Sequence, residues 1–388
     1  MSANPFWGDD WEDVRRLWLL DPEVAHCNHG SFGAVPEPVL NAQDEFRAQM
    51  ARNPVRWFSR DMPGMVAEAR TEIASFIGAQ PGDMAFVSNV SAGVSVVAQS
   101  LHLEPGDEVL SSNHIYGGVS YGLDRLCHRT GAVRVVAQVP FRASNEEVVE
   151  IFARSSSERT GLVVVDQVTS PTARHFPVEE VVRVAHDVGA AVLVDGAHAP
   201  GMLPLNVPAI GADFWTGNLH KWACAPAGTG VLWVAPGWQE QMLSLVVSWA
   251  EPDGFPLSFE RVGTNDLSAW LAAPVALRLL GSLGWERVRS HNAALVNWAQ
   301  STVAAILGTE PGRLRHDPGI SMATVPLPNG RIGSKEQARA LQVQLANLGV
   351  ETVVTPWAGG TLRLSAHVYN QPADYQRLGL VVRDCLSG

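Results

Sequence analysis

Two stretches of the chain carry residue types suited to covalent chemistry on an amine. Asp213-Phe214-Trp215-Thr216-Gly217-Asn218-Leu219-His220-Lys221-Trp222 reads as a short apolar strand ending in small and polar residues, with a lysine beside a histidine. Upstream, the apolar run Gly189-Ala190-Ala191-Val192-Leu193-Val194 leads into Asp195-Gly196-Ala197-His198. A buried parallel strand has this pattern when it delivers a carboxylate to the carboxyl edge of a sheet. A lysine amine and a buried acid at nearby strand ends suit pyridoxal phosphate. The amine bonds to the cofactor aldehyde and the carboxylate keeps its pyridine nitrogen protonated. The competing reading is an ordinary α/β core with a surface lysine and a capping aspartate.

Other residues could complete such a site. Asn89-Val90-Ser91-Ala92-Gly93 precedes a helix, so its backbone N–H groups and the Ser91 hydroxyl could cradle a phosphate; Ser91 could equally be a simple helix cap. His114 and Tyr116 follow a strand, and either could lie flat on an aromatic ring or be a surface loop residue. Asp166-Gln167-Val168-Thr169-Ser170-Pro171-Thr172 ends another strand with groups able to meet a pyridoxal ring and its phenolic oxygen. His198, three residues after Asp195, reaches the same oxygen unless it is buried on backbone. Asn218 and His220 could complete the phosphate cup. Arg363, inside the apolar strand Thr361–Ser365, is costly there unless it meets an anion. Its planar fork fits a substrate carboxylate or one of the chain's own acids.

The elements that must position these groups alternate. Strands are expected at Met84–Ser88, Asp107–Ser111, Val133–Val139, Leu162–Asp166, Ala190–Asp195, Asp213–Thr216 and Gly230–Val234, with helices between. This is an α/β pattern with a mostly parallel seven-stranded sheet. Asn28-His29-Gly30-Ser31-Phe32-Gly33 is a glycine-rich loop after a helix over 10–20, and the helix Val94–Leu101 follows the loop at 89–93. Beyond Pro236 the alternation stops: a loop over 257–266, long helices over 267–283 and 286–306, then strand 321–327, helix 334–348, strands 351–354 and 361–365, and helix 373–386. At 388 residues, two domains are expected. Residues 1–25 form an N-terminal segment packing on the small domain, 26–265 the large cofactor-binding domain, and 266–388 a long helix and a small C-terminal α/β domain.

A net charge of −11 argues against nucleic-acid binding, which needs a basic footprint. The four cysteines (Cys27, Cys127, Cys224, Cys385) are scattered without metal-ligand spacing, so reduced thiols and no metal are expected. No secretory signal is visible at the N-terminus, and the apolar stretch 267–285 carries Arg278 and a proline, as a core helix does. A cytoplasmic protein with no membrane partner is the expectation.

Taken in order, Asn28–Ser31, Asn89–Ser91, Asp166–Thr172, Asp195–His198, Asn218–Lys221, Arg261-Val262-Gly263-Thr264 and Arg363–Asn370 resemble fold-type I pyridoxal-phosphate enzymes. The set is most similar to the class V aminotransferases, in particular the isopenicillin N epimerase-like group. The resemblance implies that Lys221 binds the cofactor and moves the Cα proton. Asp195 would pair with the pyridinium nitrogen, and His198 and Gln167 would meet the phenolic oxygen. Tyr116, ahead of His114, would stack on the ring. Ser91, Ala92, Asn218 and His220 would hold the phosphate, with Thr264 contributed across a homodimer with shared sites. Arg363 would take the carboxylate of a small amino-acid substrate, lined by Asn28, His29, Gly30 and Ser31. Gln167 departs from the histidine or asparagine of many relatives. No cysteine stands just before Arg363, which speaks against one kind of cysteine desulfurase. The resemblance implies β-elimination of an S-conjugated cysteine, in secondary metabolism such as antibiotic biosynthesis. Decarboxylation-coupled oxidative deamination, amino-acid epimerisation, or an inactive binding protein are the alternatives.

Overall fold

Seven short strands between residues 84 and 234 hydrogen-bond into one sheet in the computed structural model, which describes residues 4–315, 317–330 and 332–387. They are β1 (Met84–Val87), β2 (Glu108–Ser112), β3 (Val133–Ala137), β4 (Thr160–Asp166), β5 (Ala191–Gly196), β6 (Phe214–Asn218) and β7 (Gly230–Val234). Their order across the sheet is β1-β7-β6-β5-β4-β2-β3. Pairing is parallel except where β7 runs against β6 and β1.

The apolar runs form central strands because both faces are covered. Along β4 and β5, Val163, Val165, Val192 and Val194 enter one hydrophobic layer and Leu162, Val164, Ala191 and Leu193 the other. This is the two-residue alternation of a pleated strand. The first layer packs on α1 (Glu37–Arg52), α2 (Met62–Phe76) and two later helices; the second packs on α3 (Val90–Ser100) and α4 (Gly117–Thr130). Each fully buried valine or leucine contributes roughly 1.5–3 kcal/mol relative to exposure. The helices completing the first layer are α5 (Asn145–Ser155) and α6 (Val178–His186).

Register then places the chemistry. Asp166 lies opposite Asp195, and Asp195 opposite Thr216, at the carboxyl ends of β4, β5 and β6. Polar groups gathered at that edge are where an open α/β sheet binds ligands.

The remainder of the chain forms α7 (Ser268–Leu283), α8 (Trp285–Leu307), α9 (Lys335–Asn347) and α10 (Pro372–Ser387) beside an antiparallel sheet. That sheet has the order β9 (Val353–Thr355), β10 (Thr361–Ser365), β8 (Met322–Pro326). The N-terminal residues are stitched to it: Trp11 Nε1 donates to the Val368 carbonyl at 2.7 Å and Asn4 Nδ2 to that of Asn370 at 3.0 Å. Ala25–His26 pairs in parallel with Val350–Glu351.

Local differences from the sequence expectations have local causes. Helix α3 begins at Val90 rather than Val94, because the Asn89 side chain accepts the Ala92 N–H and caps it there. The expected helix over 10–20 contracts to Trp11–Arg15, Asn28–Gly33 holds the one-turn helix His29–Phe32, and 257–266 holds the short helix Leu257–Glu260. Among the described residues no helix is long and apolar enough to cross a membrane.

Candidate active site

The chain has two lysines, Lys221 and Lys335. Lys221 stands three residues beyond β6, on a turn fixed by backbone bonds from Leu219 and His220 to Thr229 O. Its Nζ is 3.3 Å from His198 Nε2. The other nitrogen of His198, Nδ1, lies 3.2 Å from Trp222 Nε1, which can only donate. His198 Nδ1 is therefore the acceptor, and the neutral ring carries its proton on Nε2, directed at Lys221. That arrangement needs a lone pair on Nζ. Burial, reinforced by the Arg363 charge, lowers the Lys221 amine from 10.5 to about 7, while Asp195 opposes the shift. Near neutral pH a substantial fraction is free amine, the form that attacks a carbonyl or removes a proton.

Asp195 is buried, and its Oδ1 accepts the Ala197 N–H at 2.9 Å. Its Oδ2 is buried and has no hydrogen-bond partner. An orphaned carboxylate oxygen at a strand end is an acceptor waiting for a cationic N–H, so the donor set fits a pyridinium nitrogen. Beneath it lies Asp166, also buried and with Oδ2 unpartnered. Burial, together with the neighbouring Asp195 charge, pushes the Asp166 carboxyl well up, and burial raises Asp195 too, opposed by the Ala197 N–H and the Lys221 charge. Sequence reasoning quoted Asp166 only as the start of a polar segment. The signal was present, since it too ends an apolar strand.

At the phosphate end, α3 offers its N-terminus. Asn218 Oδ1 accepts the Val90 N–H at 3.0 Å, which turns its NH2 outward as a donor. The Ala92 N–H is taken by Asn89 Oδ1 at 3.0 Å, and Ser91 is exposed beside it. His220 Nδ1 meets the Thr229 carbonyl at 3.1 Å, which assigns the proton to Nδ1 and leaves Nε2 for a ligand. Gln167 Oε1 accepts from Trp215 Nε1 at 3.1 Å, so its NH2 is the group it can offer.

Arg363 is buried with no carboxylate within ion-pair distance among the described residues. Its Nη1 donates to Ser170 O at 2.7 Å and Oγ at 3.1 Å; its Nη2 donates to Asn28 Oδ1 at 3.0 Å and Ser31 Oγ at 2.9 Å. Its Nε has no partner. A buried guanidinium surrounded by neutral oxygens calls for an anionic ligand.

Three expected site residues have other commitments. His114 Nδ1 meets Thr172 Oγ1 at 2.6 Å and Nε2 the Val139 carbonyl at 3.0 Å, and its ring packs on Trp357 and Phe176. His29 Nε2 meets the Lys221 carbonyl at 3.0 Å and Nδ1 the Tyr369 hydroxyl at 2.9 Å, so it braces the Lys221 peptide from behind. Gly30 donates its N–H to Ser365 Oγ, and a Cβ there would come within 2.8 Å of Met322 Sδ, so the position packs β8 and β10 against the site. Tyr116 is half-exposed just before α4, and its backbone amide opposes the upward shift of the Asp166 carboxyl. Thr264 lies in an exposed loop and makes none of the bonds that join the others. His29, Cys224 and His367 bring three metal-type ligand atoms within 4.8 Å of one another. With both His29 nitrogens engaged, however, they form a stacked layer behind Lys221.

A parallel-centred α/β sheet with a lysine, an orphaned acid and a helix N-terminus at one edge defines a pyridoxal-phosphate enzyme. The chain belongs to the family described as aminotransferase class-V, whose model matches residues 33–378. Pyridoxal 5′-phosphate is its cofactor. The chain is 32% identical to the isopenicillin N epimerase of Streptomyces clavuligerus, over 98% of this chain and 99% of that one. It is 28% identical to the probable chloroplastic L-cysteine desulfhydrase of Arabidopsis thaliana, over 95% and 83%. Its fold matches that of the cystine C–S lyase C-DES with a TM-score of 0.80 at 20% identity, covering 94% of this chain and 98% of that one.

Proposed function

We propose that the protein cleaves the C–S bond of an S-substituted cysteine by β-elimination, acting as a cytoplasmic homodimer in secondary metabolism. One observation carries this reading. Lys221 brings an amine lowered to about 7 to the site, while His29 and His114 each have both ring nitrogens engaged by the protein and His220 is assigned to the phosphate. Elimination needs one base at Cα and a good leaving group at Cβ. Epimerisation needs a second proton donor on the opposite face.

The substrate carboxylate sits on Arg363, displacing the Asn28 and Ser31 oxygens from the guanidinium. That anchor sets which Cα bond stands perpendicular to the cofactor ring. Bound pyridoxal phosphate supplies the electron sink, with Asp195 Oδ2 accepting the pyridinium N–H. His198 Nε2–H and the Gln167 amide would meet the cofactor's phenolic oxygen. Asn218, His220, Ser91 and the α3 N-terminus hold the phosphate, and Thr264 serves the partner's site. Lys221 Nζ takes the Cα proton. The Cβ–S bond breaks with its electron pair on sulfur, the Lys221 ammonium passes the Cα proton to the thiolate, and the released aminoacrylate takes up water to give pyruvate and ammonia.

Similarity to the epimerase favours one second reading, in which the Tyr116 phenol serves the opposite face of Cα. Product analysis separates the reactions. Elimination yields thiol, pyruvate and ammonia in equal amounts without oxygen uptake. Return of the amino acid deuterated at Cα in heavy water, with no pyruvate, would establish epimerisation. Carbon dioxide release with oxygen uptake and an intact C–S bond would establish oxidative decarboxylation. Either of the latter results refutes the elimination.

A further inference from the structure

A cavity of about 600 Å³ opens beyond Arg363 and Tyr116, between β2–α4 on one side and β9–α9 on the other. That is room for a drug-sized arm, well beyond what cysteine itself fills. Its inner end is the buried Arg363, and Ile115, Pro171 and Val353 give it apolar walls. Trp357 forms a flat aromatic wall, backed by the His114 ring at 4.4 Å. His114 is itself pinned by Thr172 and Val139, so the wall is rigid.

The charge of this cavity runs against that of the molecule. The chain carries 39 acids against 28 lysines and arginines, yet among the described residues the lining contains Arg134, Lys335, Arg339 and Arg363 and no carboxylate. Arg134 is balanced by Asp124 at 3.1 Å. Lys335 and Arg339 lie one helical turn apart on the exposed face of α9 that fronts the cavity, with Glu336 as the neighbouring acid. The two lysines of the chain thus stand at the reaction centre and at the mouth of the cavity beside it.

We propose that this cavity takes the part of the substrate beyond Cβ, and that it selects a flat apolar arm ending in an anionic group. The arm lies on Trp357 and its carboxylate reaches Lys335 and Arg339, while the α-carboxylate stays on Arg363. The inference rests on the S-conjugate reading of the same site, but it concerns binding rather than the bond broken.

The test therefore uses ligands that cannot react. 3-(Benzylthio)propanoate and 3-(4-carboxybenzylthio)propanoate lack the amine, and calorimetry with holoenzyme gives their Kd at low ionic strength. The carboxylated ligand is expected to bind about tenfold more tightly, with the gap narrowing as salt is raised. Lys335→Glu with Arg339→Glu removes the gap and leaves the uncharged-arm ligand within about twofold; both positions are exposed, so the fold is retained. Trp357→Ala weakens both ligands about fivefold. Equal affinities in the wild type, no binding of either ligand, or a gap that survives the double charge reversal overturns the proposal. A failed elimination assay with an intact affinity gap would refute the reaction and leave this subsite standing.

Discussion

Replacing Lys221 with methionine is expected to make the cofactor-stripped protein progressively more stable, relative to wild type, as pH falls. In the unfolded chain the lysine titrates near 10.5; in the fold it titrates near 7, chiefly because the amine is buried. Between those values the unfolded chain binds more protons than the folded one, so wild-type stability rises with pH across the window. It is highest above 10.5, falls as pH drops, and reaches its full deficit below about 7. At about 1.4 kcal/mol for each factor of ten, that deficit is nearly 5 kcal/mol. The residue is not wholly enclosed, so screening reduces it to about 2–4 kcal/mol. Methionine keeps the length of the side chain and removes the titration. It also removes the bond to His198 Nε2, a loss that does not depend on this titration, so the slope carries the test. Urea unfolding of both proteins, followed by tryptophan fluorescence at pH 6, 8 and 9.5, measures the difference. The variant's relative advantage should fall by about 1–3 kcal/mol from pH 6 to pH 9.5. A difference that stays constant with pH would mean that Lys221 is an ordinary exposed ammonium, and the argument for a free amine fails.

Borohydride reduction of the holoenzyme should fix the cofactor to the Lys221 peptide; with two lysines in the chain, label on Lys335 is the one other lysine outcome and would refute the assignment. Asp195→Asn should fold and retain cofactor but lose at least about 100-fold in turnover, since the pyridinium proton is no longer held by a carboxylate; near-normal kcat would exclude the pairing. Trp222→Phe removes the donor to His198 Nδ1, a bond worth about 1 kcal/mol, and so shifts the ring toward the other tautomer roughly fivefold. Nitrogen-15 NMR of labelled histidine reads this directly, and a proton found on His198 Nδ1 in the wild type contradicts the geometry.

The sheet and its reactive edge were legible because each central strand is an uninterrupted apolar run that stops at a polar residue. Val192–Asp195 and Phe214–Asn218 announce both burial and the point where burial ends. What stayed hidden depends on partners far away in sequence. His114 looked like a ring-stacking residue until Val139, Thr172 and Trp357 engaged its ring from three other segments. His29 looked like a substrate contact, but Tyr369 and the Lys221 carbonyl hold it. The proton position on His198 follows from the placement of one indole N–H, which no spacing rule encodes. Asp166 was visible as an acid, yet the upward shift of its carboxyl depends in part on strand register, which sets it opposite Asp195.

The stitching of the N-terminal segment to the far end of the chain bears on how the protein is made. Asn4 and Trp11 are made 366 and 357 residues ahead of their partners Asn370 and Val368. Asn28 and Ser31 likewise wait for Arg363. A nascent chain can complete the seven-stranded sheet and the Lys221 turn before Arg363 is made. Trp11 and Trp18, buried in the folded molecule, lack the cover of residues 367–369 until those residues are made, and are exposed to other chains in that interval. On the proposed mechanism the guanidinium that takes the substrate carboxylate is therefore made after the cofactor platform, and a chain stopped before Arg363 has the platform without it.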